Sequence, residues 1–399
     1  MLLGLFNNSS KKNWGQVRLK IFKFWLRNSC SNLRKRLTNQ CKRLRNFLLL
    51  PCKGLTCAMD NKLVTIKEIA RRLRISPSTV SRALHDHKSI GLRTKTNVQQ
   101  LAKELNYEPN QTAIFFQQRK TFTIGVILPE LSESFFSTAI SGIEDCANKN
   151  KYSVLMGQSH DDEEREKQLV DTMKNHRVDG LIVSIAKNTS NYDHFTNLKN
   201  YGIPIVFFDC IPSIDNIHYV ACNMTSGTTQ AYLFLRKLGH KTIGMINGPM
   251  NLLASKERVQ GYRDALTKSR LKYDPSLIVS CDLKTDSVYK ATEKLLALKN
   301  KPTAIIAFND YVLLDAIQAT KKMKLKINKD ISFVSYANLP ISYHSAHPPL
   351  ASVEQFSYQQ GQKAMEILLD LLAKDKAENE NTTFYKIILE PQLVVHSAQ

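Results

Sequence analysis

Residues 76–86 read SPSTVSRALHD, and their side chains suit hydrogen bonding to flat, readable edges better than bond-breaking chemistry. Ser76 is a preferred N-cap type, and Pro77 suits the first helical position. Val80, Ala83 and Leu84 then share one face at i, i+3, i+4, leaving Ser78, Thr79, Ser81 and Arg82 on the other. Short hydroxyls let a helix N-terminus approach base pairs closely, and an arginine has the longer reach needed to bridge guanine. Catalytic alternatives find no support elsewhere in the chain. There is no G-x-S-x-G, H-E-x-x-H, P-loop or G-x-G-x-x-G pattern, and no Cys/His spacing resembles a zinc site. The acidic run from Asp161 to Glu164 reads as a helix N-terminus set against its dipole. The chain is therefore read as a binding protein, not an enzyme, with no cofactor and no metal.

The elements that position those groups are legible around them. In TIKEIARRLRI, the residues Ile66, Ile69, Ala70 and Leu73 line one helix face, with Thr65 placed to cap it. In TNVQQLAKELNY, Val98, Leu101, Ala102 and Leu105 line another. Two short helices joined by a tight turn, with a third closing the core, form a helix-turn-helix whose second helix enters the major groove of double-stranded DNA.

Charge supports this placement. Residues 1–58 hold thirteen Lys or Arg and no acid; residues 60–121 hold twelve against five, and the remaining 278 residues are close to neutral within a net +21. The polyanion-binding character belongs to the N-terminal end. The 1–58 extension, which holds Trp14, Trp25 and four of the eight cysteines, has three readings. Its upstream start is artefactual and Met59 is the true one, or it is a basic arm on phosphates, or it is an amphipathic helix drawn to anionic lipid. N-terminal sequencing of the native protein distinguishes them. MLLGLFNNSSKK makes a poor signal peptide, no apolar run is long enough for a membrane span, and Cys146, Cys210, Cys222 and Cys281 are scattered as in a reduced cytoplasmic protein.

VTIKEIARRLRISPSTVSRAL resembles the N-terminal signature of the lactose-repressor (LacI/GalR) family of bacterial transcription regulators, and the likeness continues through LAKELNYEPN and TFTIGVILPELSESFF. It covers about 340 residues, all but the extension. The resemblance implies that Pro77, Ser78 and Arg82 read bases, that Thr65, Ser76, Thr79 and Ser81 touch phosphate or cap helices, and that Lys88 adds a basic contact. It places Tyr107 before a hinge helix over NQTAIFFQQRK. Asn110 can cap that helix, which is too short to persist alone; Phe116, where the family commonly has Leu, is read as a wedge between base steps. Arg74 stands where many members have Gly or Asn.

From Phe122 the pattern changes to short apolar runs (123–128, 153–157, 179–185, 204–208, 242–246, 303–308, 331–335) alternating with amphipathic stretches (135–150, 161–176, 192–202, 225–238, 255–269, 286–299, 310–322). Such alternation predicts parallel, doubly wound α/β sheets in two lobes, with a ligand cleft outside the strand C-termini. The resemblance makes this a two-lobed, type I periplasmic-binding-protein-like effector and dimerisation domain. The expected boundaries are extension 1–58, all-α helix-turn-helix domain 59–109, hinge 110–121 and effector domain 122–399. Lobe 1 is expected over about 122–222 and 352–384, and lobe 2 over about 223–351 and 385–399. Phe135, Phe136, Asp209, Arg258, Asn309, Asp310, Tyr336 and Asn338 follow strands, and the resemblance puts effector contacts at the same places. Ala337 and Cys222 replace acids found in many sugar-responsive members. That points away from a plain monosaccharide and leaves a modified sugar, an oligosaccharide, a nucleobase-like compound or a phosphorylated metabolite open.

The resulting expectation is a homodimeric repressor on a palindromic operator, controlled by a small-molecule effector of carbohydrate metabolism, a sugar or sugar derivative, with no membrane partner. A solute-binding protein is the alternative, since the body alone fits one; the basic three-helix head discriminates against it.

Overall fold

Three apolar stripes bring the N-terminal helices together in the computed structural model, which describes residues 64–109, 120–374 and 383–396. The helices are α1 (Ile66–Leu73), α2 (Pro77–Leu84) and α3 (Leu92–Glu104). Ile69, Ala70, Val80, Ala83, Val98 and Ala102 form their buried core, edged by Ile66, Leu73, Leu84, Leu101 and Leu105, the positions the helical spacing marks. α1 ends with Arg74 in the left-handed region (φ 52°), and Ile75 N–H closes the turn on Ala70 C=O at 3.0 Å. A bulky residue held there costs about 1 kcal/mol relative to glycine. Thr65 departs from expectation: it sits at the N-cap of α1, but its side chain makes no capping bond, and only its C=O engages the helix. The extension 1–58 and most of the expected hinge, including Asn110 and Phe116, lie outside the described residues.

Residues beyond Pro109 form a second compact unit. Its first half runs β1 (Thr123–Leu128), α4 (Ser134–Lys149), β2 (Ser153–Gln158), α5 (Glu163–Asn175), β3 (Gly180–Val183), α6 (Asp193–Thr196), β4 (Ile205–Phe208) and β5 (His218–Cys222). Then come α7 (Met224–Lys237), β6 (Ile243–Asn247), α8 (Leu253–Lys268), β7 (Ile278–Ser280), α9 (Thr285–Leu296), β8 (Ala304–Ala307), α10 (Asp310–Lys322), β9 (Ser332–Tyr336), α11 (Pro340–Tyr343) and β10 (Ala351–Glu354). The chain closes with α12 (Ser357–Ala373), β11 (Lys386–Leu389) and β12 (Gln392–Val395).

Two six-stranded sheets result, ordered β11-β5-β4-β3-β1-β2 and β12-β10-β9-β8-β6-β7. All pairings are parallel except β12 against β10, an antiparallel edge on the second sheet that the all-parallel expectation did not contain. Two expected crossings shift as well. Residues 352–354 stay in the second sheet as part of β10, and β11 belongs to the first sheet beside β5. The stretch YKIILEPQLVVHS forms two strands, one in each lobe. Pro391 cannot donate to a ladder, so the apolar run breaks there and the chain crosses lobes between β11 and β12. The stretch 192–202 is one α turn followed by a 3-10 segment, Asn197–Tyr201, in place of a continuous helix.

Helix α12 seals the first lobe against α4 through two glycines. A Cβ on Gly142 would lie 2.1 Å from Tyr358 O, and one on Gly361 would lie 2.0 Å from Ala139 O. The backbones approach closely because neither position carries a side chain.

Candidate nucleic-acid face and ligand cleft

The free face of α2 is organised by Ser76. Its Oγ accepts Thr79 N–H at 3.1 Å and lies 2.7 Å from Ser78 Oγ and 2.8 Å from Thr79 Oγ1. Pro77 takes the first helical position. The three hydroxyls form one connected set at the helix N-terminus, where orphan N–H groups and the dipole favour phosphate oxygens. Ser81 is partly buried, and its C=O holds His85 Nδ1 at 2.8 Å. Arg82 and Lys88 are exposed and form no ion pair among the described residues. Arg71 and Arg72, by contrast, are both held by Glu68 at 2.8 and 2.9 Å, and these bonds pull that carboxyl down to about 2. Tyr107 packs against the edge of the helical core, and burial pushes its hydroxyl up.

One basic group lay outside the sequence reading. Arg93 sits in the first turn of α3, exposed and without an ion pair among the described residues. A cation there opposes the helix dipole unless an anion is present. That mismatch was the available signal.

In the second unit the eight expected ligand contacts separate into three groups. Asp209, Arg258 and Tyr336 come together at the strand ends. Asp209 lies in the left-handed region (φ 55°) directly after β4 and lines a pocket with Cys222, Met224, Leu253, Ala254 and Glu257. Burial pushes its carboxyl up, with Arg258 and Lys187 pulling the other way. Arg258 is only 4% exposed, and its guanidinium is clamped between the rings of Phe308 and Tyr336 at 4.1 and 4.4 Å. The Tyr336 hydroxyl bonds to Thr228.

Phe135 and Phe136 form the second group. Both are buried in the core of the first lobe, edge-to-face at 5.4 Å, and Phe136 stands edge-on to Phe208. They meet the second lobe there: Leu339 joins the same cluster, and Tyr311 OH accepts Ser134 N–H at 3.3 Å. Their rings are cleft floor more than open wall.

The third group is taken up by the fold. Asn309 Oδ1 caps α10 through Val312 N–H at 2.9 Å. Asp310 is fully buried; it accepts the Ser335 hydroxyl and, at 2.6 Å, Leu339 N–H. Burial pushes its carboxyl up to about 6. Asn338 donates to Glu354 at 2.8 Å and accepts from Tyr343. Asp310 and Asn338, expected to face a ligand, make these hydrogen bonds inside the protein.

Two further sets of residues around the cleft were not anticipated. Leu252, Leu253 and Ala254 bring the start of α8 to the pocket wall, and Glu257 follows one turn on, its carboxyl pushed up by burial. Across the lobes, Asn251 Nδ2 reaches Lys187 C=O at 2.5 Å, and Lys187 pairs with Asp161 at 2.9 Å. The pocket holds about 20 Å³ of open space, room for about one water and far short of the ~300 Å³ or more of a small-molecule site. A ligand enters there only if the lobes part.

Two family descriptions match the chain. "Bacterial regulatory proteins, lacI family" matches residues 65–110, and "Periplasmic binding proteins and sugar binding domain of LacI family" matches residues 121–388. The chain is 31% identical to the HTH-type transcriptional repressor PurR of Aliivibrio salmonicida, over 79% of this chain and 93% of that one. It is 32% identical to catabolite control protein A of Priestia megaterium, over 79% and 95% respectively. Among solved structures, the lac repressor dimer bound to operator and an anti-inducer superposes with a TM-score of 0.71 at 25% identity, covering 84% of this chain and 98% of that one.

Proposed function

The chain belongs to the LacI family of bacterial regulatory proteins, and from that premise we propose that it represses transcription as a homodimer on a palindromic operator, under control of a small-molecule effector. The observation that carries this reading is the face of α2: an N-terminus closed by Ser76, three linked hydroxyls, and an Arg82 with no partner among the described residues. In a two-fold dimer, such helices meet successive major grooves of one operator. Ser76, Thr79, Thr65, Lys88 and Arg93 then position the head on phosphates, while Pro77, Ser78 and Arg82 read base edges. The named repressors among its relatives support the sign of regulation, and the operator-bound dimer of the lac repressor supports the assembly.

The effector acts in the cleft between the two sheets, with Asp209, Arg258 and Tyr336 as its polar contacts and the Phe135–Phe136 floor beneath. Opening or closing that cleft shifts which dimer geometry is populated. A differential affinity of ~1–3 kcal/mol suffices for a 5–150-fold change in operator affinity. The protein acts by binding without turnover, in the cytoplasm where the operator is. Among the described residues no helix is long and apolar enough to cross a membrane. The test is a shift assay of full-length protein on genomic fragments from its source and on scrambled duplex at one salt concentration. Selective retention of fragments carrying a palindrome supports the reading; equal retention of scrambled duplex overturns it.

A further inference from the structure

We propose that the second lobe carries a further duplex-binding surface, at the edge of its sheet away from the cleft, where lysine-rich loops engage the phosphates of a second stretch of DNA. The choice of duplex as the polyanion rests on the DNA-binding reading above; the surface itself does not.

The near-neutral charge of residues 122–399 is an average over two unlike parts. Strands β6 to β9 are parallel neighbours in the order β9-β8-β6-β7, so the segments that enter them lie together at one edge of the sheet, opposite the strand ends that face the cleft. Those segments read RKLGHKT (236–242), KSRLKYDPSL (268–277), ALKNKPT (297–303) and KKMKLKINKDI (321–331). They hold thirteen Lys or Arg against two Asp, whereas the rest of 122–399 holds eighteen against twenty-eight acids. Hydrogen bonds tie the segments side by side. His240 Nδ1 lies 3.0 Å from Thr303 Oγ1, Thr303 N–H donates to Thr242 C=O at 2.9 Å, and Ser332 N–H donates to Thr303 C=O at 3.0 Å.

Helix dipoles account for only part of this charge. Arg236, Lys237, Lys268, Lys321 and Lys322 close α7, α8 and α10, where a cation suits the dipole. The other eight basic residues lie beyond the helix ends. Nor are the charges neutralised. Arg236 bonds to the carbonyls of His240 and Lys241, and Lys322 stands over the Tyr289 ring at 4.3 Å. The remaining eleven side chains form no hydrogen bond or ion pair among the described residues. Elsewhere in the unit Lys167, Lys174, Lys187, Lys363 and Lys374 each pair with an acid. Both aspartates of the edge are taken up by backbone: Asp274 accepts Ser276 N–H at 2.9 Å, and Asp330 accepts Lys326 N–H at 2.7 Å. Burial and the charge of Lys321 push the nearby His347 imidazole down, so like charges crowd here without an internal partner.

The dominance of lysine selects the partner. Protein interfaces are depleted in lysine, and a lipid-bound surface needs a continuous apolar face in addition. The exposed apolar side chains here, Leu238, Leu271, Tyr273 and Met323, are scattered over three separate segments. A duplex asks only for point charges along its backbone. The outer two of the four strands are about 14 Å apart, a length over which a duplex carries about eight phosphate charges. That is comparable with the excess of cations at the edge.

The experiment is lysine-acetylation footprinting of the full chain, read by mass spectrometry, as random-sequence duplex is added beyond saturation of the first binding event. Lys299, Lys301, Lys324, Lys326 and Lys329 should lose about threefold or more of their labelling at moderate salt and regain it at high salt. Lys256 and Lys284, exposed at the cleft end of the same lobe, should stay unchanged. Lys299→Gln, Lys301→Gln, Lys324→Gln, Lys326→Gln and Lys329→Gln combined alter only exposed, unpaired side chains, so the fold should hold. That variant, held on bead-bound duplex, should capture a labelled second duplex about fivefold less well, with its first capture changed by no more than about twofold. Labelling that duplex leaves unchanged, equal protection at Lys256 and Lys284, or second capture that survives the five substitutions overturns the proposal. So does protection by polyglutamate or by phosphatidylserine vesicles with none by duplex. Failure here with operator selectivity intact leaves the regulator reading standing; protection here without operator selectivity does the reverse.

Discussion

Replacing Arg82 with alanine separates base reading from folding and from general attraction to DNA. Arg82 is exposed on α2 and has no hydrogen-bond or ion-pair partner among the described residues, so its removal should change stability by no more than ~0.5 kcal/mol. On the operator, one bidentate arginine–guanine contact contributes ~1–3 kcal/mol of discrimination. A dimer makes the contact twice, so the loss is about 2–6 kcal/mol, roughly thirtyfold to twenty-thousandfold in affinity. On random duplex only one positive charge per head disappears, and the loss should stay within a few-fold at moderate salt. Fluorescence anisotropy on labelled operator and on scrambled duplex of equal length measures both, and thermal melting confirms the fold. Ser76→Ala is the instructive contrast: it removes the cap of α2 and two hydroxyl contacts, costing about 1 kcal/mol of head stability as well as DNA affinity. An Arg82→Ala protein that weakens equally on both duplexes, or on neither, would refute the assignment of base reading to this residue.

Other consequences follow from the fold. Arg74→Gly relieves a left-handed residue whose side chain makes no hydrogen bond or ion pair among the described residues, so the head should gain about 0.5–1 kcal/mol, read as up to fivefold slower amide exchange in α1 and α2. Gly361→Ala drives a methyl into Ala139 O and should cost several kcal/mol in denaturant unfolding, whereas Ala at the exposed N-cap Gly91, with nothing within 4 Å, should be tolerated. Asp310 sets a pH dependence. Its carboxyl is raised by burial from 3.8 to about 6, so the folded chain binds a proton that the unfolded chain does not. That contribution is complete below the unfolded value and is lost as pH rises through about 6, an amount of order 3 kcal/mol. Urea midpoints at about pH 4.5 and 7.5, which span most of that loss, should therefore differ less in Asp310→Asn than in the parent; an unchanged difference contradicts the burial argument.

The helical head was legible because its apolar residues recur at strict spacing, and each stripe residue from Ile66 to Leu105 packs where the period puts it. The alternating sheets were legible for the same reason, since buried parallel strands such as TIGVIL read as apolar runs. What escaped were elements with weak pattern: β5 (HYVAC), the three-residue β7, β10, and the antiparallel turn of the chain into β12. In the cleft, residue type after a strand marked the right neighbourhood and not the role. The adjacent Asn309 and Asp310 illustrate this: the first side chain caps α10 and the second anchors Leu339, a distinction made by which backbone N–H is nearby. The pocket wall at Leu252–Ala254 left no side-chain signal at all, because its polar groups are backbone.

The most direct measurement is selection of bound duplexes from a random-sequence pool by the full-length protein. The account predicts enrichment of a two-fold palindrome whose half-sites contain a guanine that loses its preference in Arg82→Ala. Recovery of unenriched sequences, or of a motif indifferent to that substitution, would contradict it.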